Sequence, residues 1–120
     1  MKDKILKLEK CFFKKEYMSN IAWMQEVIDD KFIECGKSGK FFNKEQTIND
    51  LSKLESDRLI DIYNYDCQKV GDNIYLVHYV TKTDDGQNVF RTSLWVDKDG
   101  LKLYFHQASL LTQDISLVKF

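Results

Sequence analysis

Two stretches near the end of the chain, Arg91-Thr92-Ser93-Leu94-Trp95 and Tyr104-Phe105-His106-Gln107, gather a guanidinium, hydroxyls, an imidazole, a carboxamide and aromatic rings. They read as adjacent strands of one hairpin. A guanidinium can hold a carboxylate or phosphate in bidentate fashion, and an imidazole in a semi-enclosed pocket can exchange protons near neutral pH. Side chains alternate across a strand, so a polar group turned inward must find a partner or a ligand. With Tyr79 from the strand before, the candidate ligand-binding set is Tyr79, Arg91, Ser93, Trp95, His106 and Gln107.

Each member also has a structural reading. Arg91 can pair with Glu34 or with an acid on the first strand, and His106 can be satisfied by its neighbours in the sheet. Trp95 and Tyr104 can stack on a planar ligand, or supply core area or a dimer face. His78 has no neighbouring motif and reads as surface or core. Glu34, followed by Cys35-Gly36-Lys37-Ser38-Gly39, is expected to accept the amides of the Gly36 to Gly39 loop. That makes Glu34, Ser38 and Gly39 a structural loop.

Hairpin register decides which polar groups share a face. A type I turn over Asp97-Lys98-Asp99-Gly100, closed by a left-handed glycine bulge, pairs Asp97 with Leu101. Arg91 is then expected opposite Gln107, Ser93 opposite Phe105, Trp95 opposite Leu103 and Thr92 opposite His106. A two-residue Asp99-Gly100 loop sets Ser93 against His106 instead, because a slip of one residue exchanges every face.

The elements that must position these groups follow from a change of period near residue 58. Ile5, Leu8, Phe12 and the stretch from Lys15 to Tyr17 trace a first helix, interrupted at Ser19-Asn20. Ile21, Met24, Val27 or Ile28, and Phe32 repeat at three and four in a second. Asn43 and Gln46 have the spacing of a capping box opening a third helix, with Ile48, Leu51 and Leu54 inward. Beyond residue 58, β-branched and aromatic residues are punctuated by Gly71-Asp72, Asp84-Asp85-Gly86 and Asp97-Lys98-Asp99-Gly100. Four antiparallel strands are expected, at about 58–70, 73–82, 88–97 and 101–110. The architecture is α+β: three N-terminal helices packed on a curved four-stranded antiparallel sheet.

Composition narrows the function classes. One domain over 1–120 is expected from a chain of 120 residues. The 18 lysines and arginines balance 19 acids, which gives no global field for nucleic acid or an anionic membrane. No stretch approaches the roughly 20 apolar residues of a membrane span. The first ten residues have no unbroken apolar core of the kind a signal peptide needs. Cys11, Cys35 and Cys67 are odd in number and widely spaced, which argues against a disulfide framework and for a cytoplasmic location. Only His78 and His106 offer imidazole ligands, and phosphate-loop, zinc and serine-hydrolase motifs are missing. Neither a metal nor a cofactor is expected.

Phe32-Ile33-Glu34 with Ser38-Gly39, then Tyr79, then Arg91-Thr92-Ser93-Leu94-Trp95, then Phe105-His106-Gln107 resemble an uncharacterised bacterial branch of the nuclear transport factor 2-like superfamily, also called the cystatin-like cone or SnoaL-like superfamily. The likeness spans nearly the whole chain. It departs at Leu101, where the branch commonly has tryptophan, and at Ala108, where it commonly has glycine. The resemblance implies a pocket between helices and sheet and a homodimer formed through the sheet.

Three functions fit these residues. The first is a small-molecule-binding domain whose pocket takes an apolar or weakly acidic ligand. The second is an isomerase, dehydratase or cyclase in which His106 or a pocket carboxylate moves a proton, with Asp61 and Asp66 as candidate acids. The third is a protein-interaction module using the outer sheet face. Whether the protein is an enzyme stays open.

Overall fold

A computed structural model describes all residues, Met1–Phe120. Three helices open the chain: α1 (Lys2–Cys11), a single turn α2 (Lys15–Met18) and α3 (Ile21–Val27). Asn20 caps α3 by accepting the Trp23 amide at 3.0 Å. A short hairpin follows, β1 (Ile28–Cys35) and β2 (Phe41–Asn43), and leads into α4 (Lys44–Ser52). Asn43 and Gln46 form the expected capping box. An irregular strap, residues 53–62, then leads to the meander of β3 (Tyr63–Gly71), β4 (Ile74–Lys82), β5 (Asn88–Asp97) and β6 (Leu101–Leu110).

The helices pack on a curved sheet, as expected, but they number four rather than three, the expected first helix being broken between Cys11 and Lys15, and the sheet has six strands rather than four. Its order is β2-β1-β6-β5-β4-β3, and β1 lies parallel to β6 while every other pair is antiparallel. The helix expected to run through Phe32 stops at Val27, because Ile28 is already extended (φ −97°, ψ 125°). The register of β1 against β6 shifts between Ile28 and Ile33, and Ile28 and Phe32 are both buried. Residues four apart share a face on a strand as well as on a helix, so this spacing alone does not separate the two. The first strand of the meander begins at Tyr63 instead of residue 58. The residues ahead of it have a different task, described below.

The last hairpin combines both registers considered from the sequence. Its turn pairs Asp97 with Leu101 and Trp95 with Leu103, as expected, with Gly100 at φ +122°, but Asp99 also takes positive φ (+54°), so the turn is not the expected type I. A second irregularity follows on β6, where Tyr104 is the extra residue and Leu94 pairs with Phe105. From there the register has slipped by one: Ser93 faces His106, Thr92 faces Gln107 and Arg91 faces Ala108. The expected pairs Arg91 with Gln107, Ser93 with Phe105 and Thr92 with His106 are therefore replaced. This slip turns His106 inward to a buried position and leaves Gln107 exposed on the other face.

The core lies between the helices and the inner sheet face, where Ile5, Phe12, Met24, Phe32, Tyr79 and Trp95 are among its members. The end of the chain closes over β3. Asn64, held at φ +53°, donates its amide to Val118 and accepts the Val118 amide on its side chain, both at 2.8 Å. The Phe120 ring packs against Tyr65, with centroids 5.9 Å apart.

Candidate functional site

The inner face of α1 carries one acid among its apolar residues. Glu9 is four residues from Ile5 and three from Phe12, and so faces the sheet with them. It is only 4% exposed. Its two oxygens are each engaged by a neutral donor: the Tyr79 hydroxyl donates to Oε1 at 2.5 Å and the Trp95 indole N–H to Oε2 at 2.8 Å. The carboxylate thus ties α1 to β4 and β5 at once. Burial, then the charge of Glu9 and the hydrogen bond to it, push the Tyr79 hydroxyl well above its ordinary pKa. Tyr79 is therefore a fixed donor.

Beside this anchor is a cavity of about 340 Å³ between helices and sheet. Phe12, Phe13, Phe32, Phe42, Leu51 and Leu103 supply apolar wall; Glu9, Glu34, Arg58, Tyr79, Arg91 and His106 are among the polar groups, with Lys37 and Asp50 also on the lining. Ala108 adds its methyl group to the wall, whereas Leu101 is buried in the core.

Arg91 and His106 are arranged by the slipped register. Arg91 Nε donates to Thr81 Oγ1 at 2.8 Å, and Nη1 lies 3.4 Å from His106 Nε2. A guanidinium can only donate, so Nε2 must accept. The proton then sits on Nδ1, which donates to Ser93 Oγ at 2.8 Å. Burial first, and the charges of Arg91 and Arg58 after it, hold the imidazole down to a pKa of about 3. His106 is neutral with both nitrogens occupied. It positions Arg91 and has no free lone pair with which to take a proton.

Arg58 comes from the strap. Its backbone N–H donates to the Phe13 carbonyl at 2.7 Å, while the neighbouring Asp57 accepts the Lys15 amide at 2.8 Å. These bonds pin the strap to the α1–α2 corner and turn the side chain inward. The guanidinium lies 5.1 Å from the Phe13 ring centroid, a cation–π contact, and touches the Phe12 carbonyl only at 3.4 Å. Burial, then the nearby Arg91, lowers its pKa, yet a guanidinium remains a cation.

Glu34 pairs with His106 across the β1–β6 ladder and so points into the same cavity. Burial raises its pKa, and Arg91 and Arg58 pull it back. Nevertheless neither arginine forms an ion pair: the salt bridges of the molecule join Lys44 to Asp30, His78 to Asp66, Lys98 to Asp29, Lys102 to Glu26 and Lys119 to Asp61. Two cations and an acid thus share one space without contact.

The other sequence candidates fall as follows. Tyr79, Arg91 and His106 line the cavity, and Ser38 contributes from the β1–β2 turn. Ser93 and Trp95 are fully buried behind the wall, supporting His106 and Glu9. Gln107 faces away. Glu34 does not hold the Gly36 to Gly39 loop, which closes on its own backbone through Gly36 N–H to Lys40 O and Gly39 N–H to Gly36 O, with Gly39 at φ +83°. Asp61 and Asp66 lie outside the cavity, on Lys119 and His78. No group of three or more His, Cys, Asp or Glu residues is arranged to hold a metal ion. Glu9 and Arg58 were missed from sequence. The acid within the α1 stripe was a usable signal; Arg58, on an irregular segment, had none.

No protein-family profile matches the chain, and no curated protein matches it either. Solved structures do. A nuclear transport factor 2-like protein from Cytophaga hutchinsonii aligns with TM-score 0.74 at 16% identity, covering 91% of this chain and 97% of that one. A nuclear transport factor 2-like protein of unknown function from Prochlorococcus reaches 0.71 at 21% identity over 94% of each chain. A candidate ketosteroid isomerase from Parabacteroides distasonis reaches 0.70 at 16% identity, over 93% of this chain and 89% of that one. The shared property at these identities is the nuclear transport factor 2-like fold.

Replacing Glu9 by Ala should lower unfolding stability by about 3 kcal/mol, since a buried hydroxyl and indole N–H both lose their acceptor. Glu9→Gln, which keeps one carbonyl oxygen, should lose less. Denaturant titration checks both; values within about 0.5 kcal/mol of wild type would remove Glu9 as the anchor.

Proposed function

We propose that this protein binds a small organic acid, with the carboxylate on Arg58 and Arg91 and an apolar body against Phe12, Phe13, Phe32 and Phe42. One observation carries the reading: two guanidiniums reach a largely apolar cavity, and neither has a carboxylate partner in the protein. Buried charge is costly unless paired, so an anionic ligand is the natural complement. Arg91 is presented by Thr81 and His106, and Arg58 by the strap, which leaves N–H groups of both for bidentate contact. The cavity volume suits a ligand the size of a substituted benzoate.

Calorimetric titration with a panel of small aromatic and aliphatic monocarboxylates and their matched amides tests this. At least one acid should bind, its amide should not, and Arg91→Ala or Arg58→Gln should weaken the acid at least about tenfold, the loss of a charged hydrogen-bonded contact. Equal binding of acids and amides, or no acid bound, would contradict the assignment.

An isomerase, dehydratase or cyclase reading has narrower support. With both His106 nitrogens occupied, proton transfer would fall to Glu34, the cavity acid that burial shifts toward neutrality.

We also propose a homodimer through the outer sheet face. There Ile33, Phe41 and Phe90 are 41%, 73% and 36% exposed, on the side opposite Glu34, Phe42 and Arg91. Light scattering should give about twice 14.2 kDa, and Phe90→Lys should shift it toward one copy; a monomeric wild type would contradict the proposal. Three free cysteines suit a reducing, cytoplasmic location, and no helix is long and apolar enough to cross a membrane.

A further inference from the structure

Glu34 is a difficulty for any anionic ligand, and the difficulty is informative. A carboxylate entering between Arg58 and Arg91 meets Glu34 in the same cavity. The groups around Glu34 come from every neighbouring element: Arg91 on β5, His106 on β6, Arg58 on the strap, Glu9 on α1, Asp50 on α4 and Lys37 in the β1–β2 turn. His106 is kept neutral by burial and by the charges of Arg91 and Arg58, and Glu9 is committed to Tyr79 and Trp95. Asp50 is exposed to water. With Arg58, Arg91 and Lys37 against Glu9, Glu34 and Asp50, the charges already cancel. A ligand anion therefore adds one negative charge that the cavity cannot match.

Two carboxylates in one desolvated site cannot both stay ionised without a large cost, and one of them takes up a proton. Glu34 is the available member: half-buried, facing the cavity, and without an ion-pair partner. Resting on the organic-acid reading above, we propose that the site binds its acid together with one proton, shared between the ligand carboxylate and Glu34 while Arg58 and Arg91 hold the pair. The proton comes from solvent, and no covalent bond changes. Binding then responds to pH through Glu34, and the ligand is released as the surroundings become alkaline.

The sign follows from linkage. Glu34 has a higher pKa in the complex than in the free protein, so the complex holds more protons in the interval between those two values. Affinity is greatest below that interval, provided the ligand is still ionised, and falls about tenfold per pH unit across it. Burial already lifts free Glu34 above its ordinary value, which moves the interval toward neutrality.

The test is calorimetry with the tightest-binding acid of the panel and its amide, from about pH 5.5 to about pH 8, in buffers of different ionisation enthalpy, for wild type and Glu34→Gln. Wild type should take up close to one proton per acid bound and weaken as pH rises. Glu34→Gln should take up none and keep its affinity through the alkaline range. Acid binding without proton uptake, as expected if Glu34 meets a cationic group of the ligand instead, would overturn this inference and leave the organic-acid reading standing. The same uptake in Glu34→Gln would also overturn it. Failure of any acid to bind at the acidic end, or equal binding of acid and amide, would remove both.

Discussion

A single buried carboxylate sets the geometry of this molecule. Glu9 receives one hydrogen bond from β4 and another from β5, and the Tyr65 hydroxyl of β3 donates to the Lys2 carbonyl, so α1 is fixed to the sheet by polar contacts toward both of its ends across an otherwise apolar interface. Apolar packing is non-directional and would accept many placements of a helix over a sheet, whereas two bonds from an indole and a phenol accept few. Because the contact is polar and exacting, the helix cannot slide inward to fill the space beside it. The cavity is the volume left over. A hydrophobic residue at position 9 would pack more simply, and the gap would have less reason to persist.

Two departures from regular structure then furnish that space with charge. The extra residue Tyr104 slips the end of the last hairpin, which brings His106 against Ser93 and Arg91 and turns Gln107 out. The strap between α4 and β3, held to the α1–α2 corner by Arg58 and Asp57, delivers the second guanidinium. Neither arginine forms an ion pair within the chain. Buried charge without an ion-pair partner costs stability, and it is the observation on which the proposed organic-acid reading rests.

The fold was legible where turn chemistry and strand alternation agree. β4, β5 and β6 fall within a residue of the boundaries set by the turns at Asp84-Asp85-Gly86 and Asp97-Lys98-Asp99-Gly100, where Gly86 and Gly100 take positive φ. The capping box at Asn43 and Gln46 marked α4 for the same reason: it is a local device with a local signature. β1 was hidden because Ile28 and Phe32, four apart, share a face on a strand and on a helix alike. The candidate site was legible in part. Tyr79, Arg91 and His106 do meet at the cavity, but their neighbours depended on a bulge in mid-strand that no glycine marks. Arg58 depended on a long-range contact with Phe13, 45 positions earlier (58 − 13), about which local sequence carries no information.

The most direct measurement is a crystal structure with 4-bromobenzoate, whose bromine can be located by anomalous scattering. The account predicts the bromine among Phe12, Phe13, Phe32 and Phe42, and the carboxylate about 3 Å from both Arg58 and Arg91 with Glu34 against it. A cavity filled by its own side chains, or 4-bromobenzoate bound with its carboxylate turned away from both arginines, would contradict it.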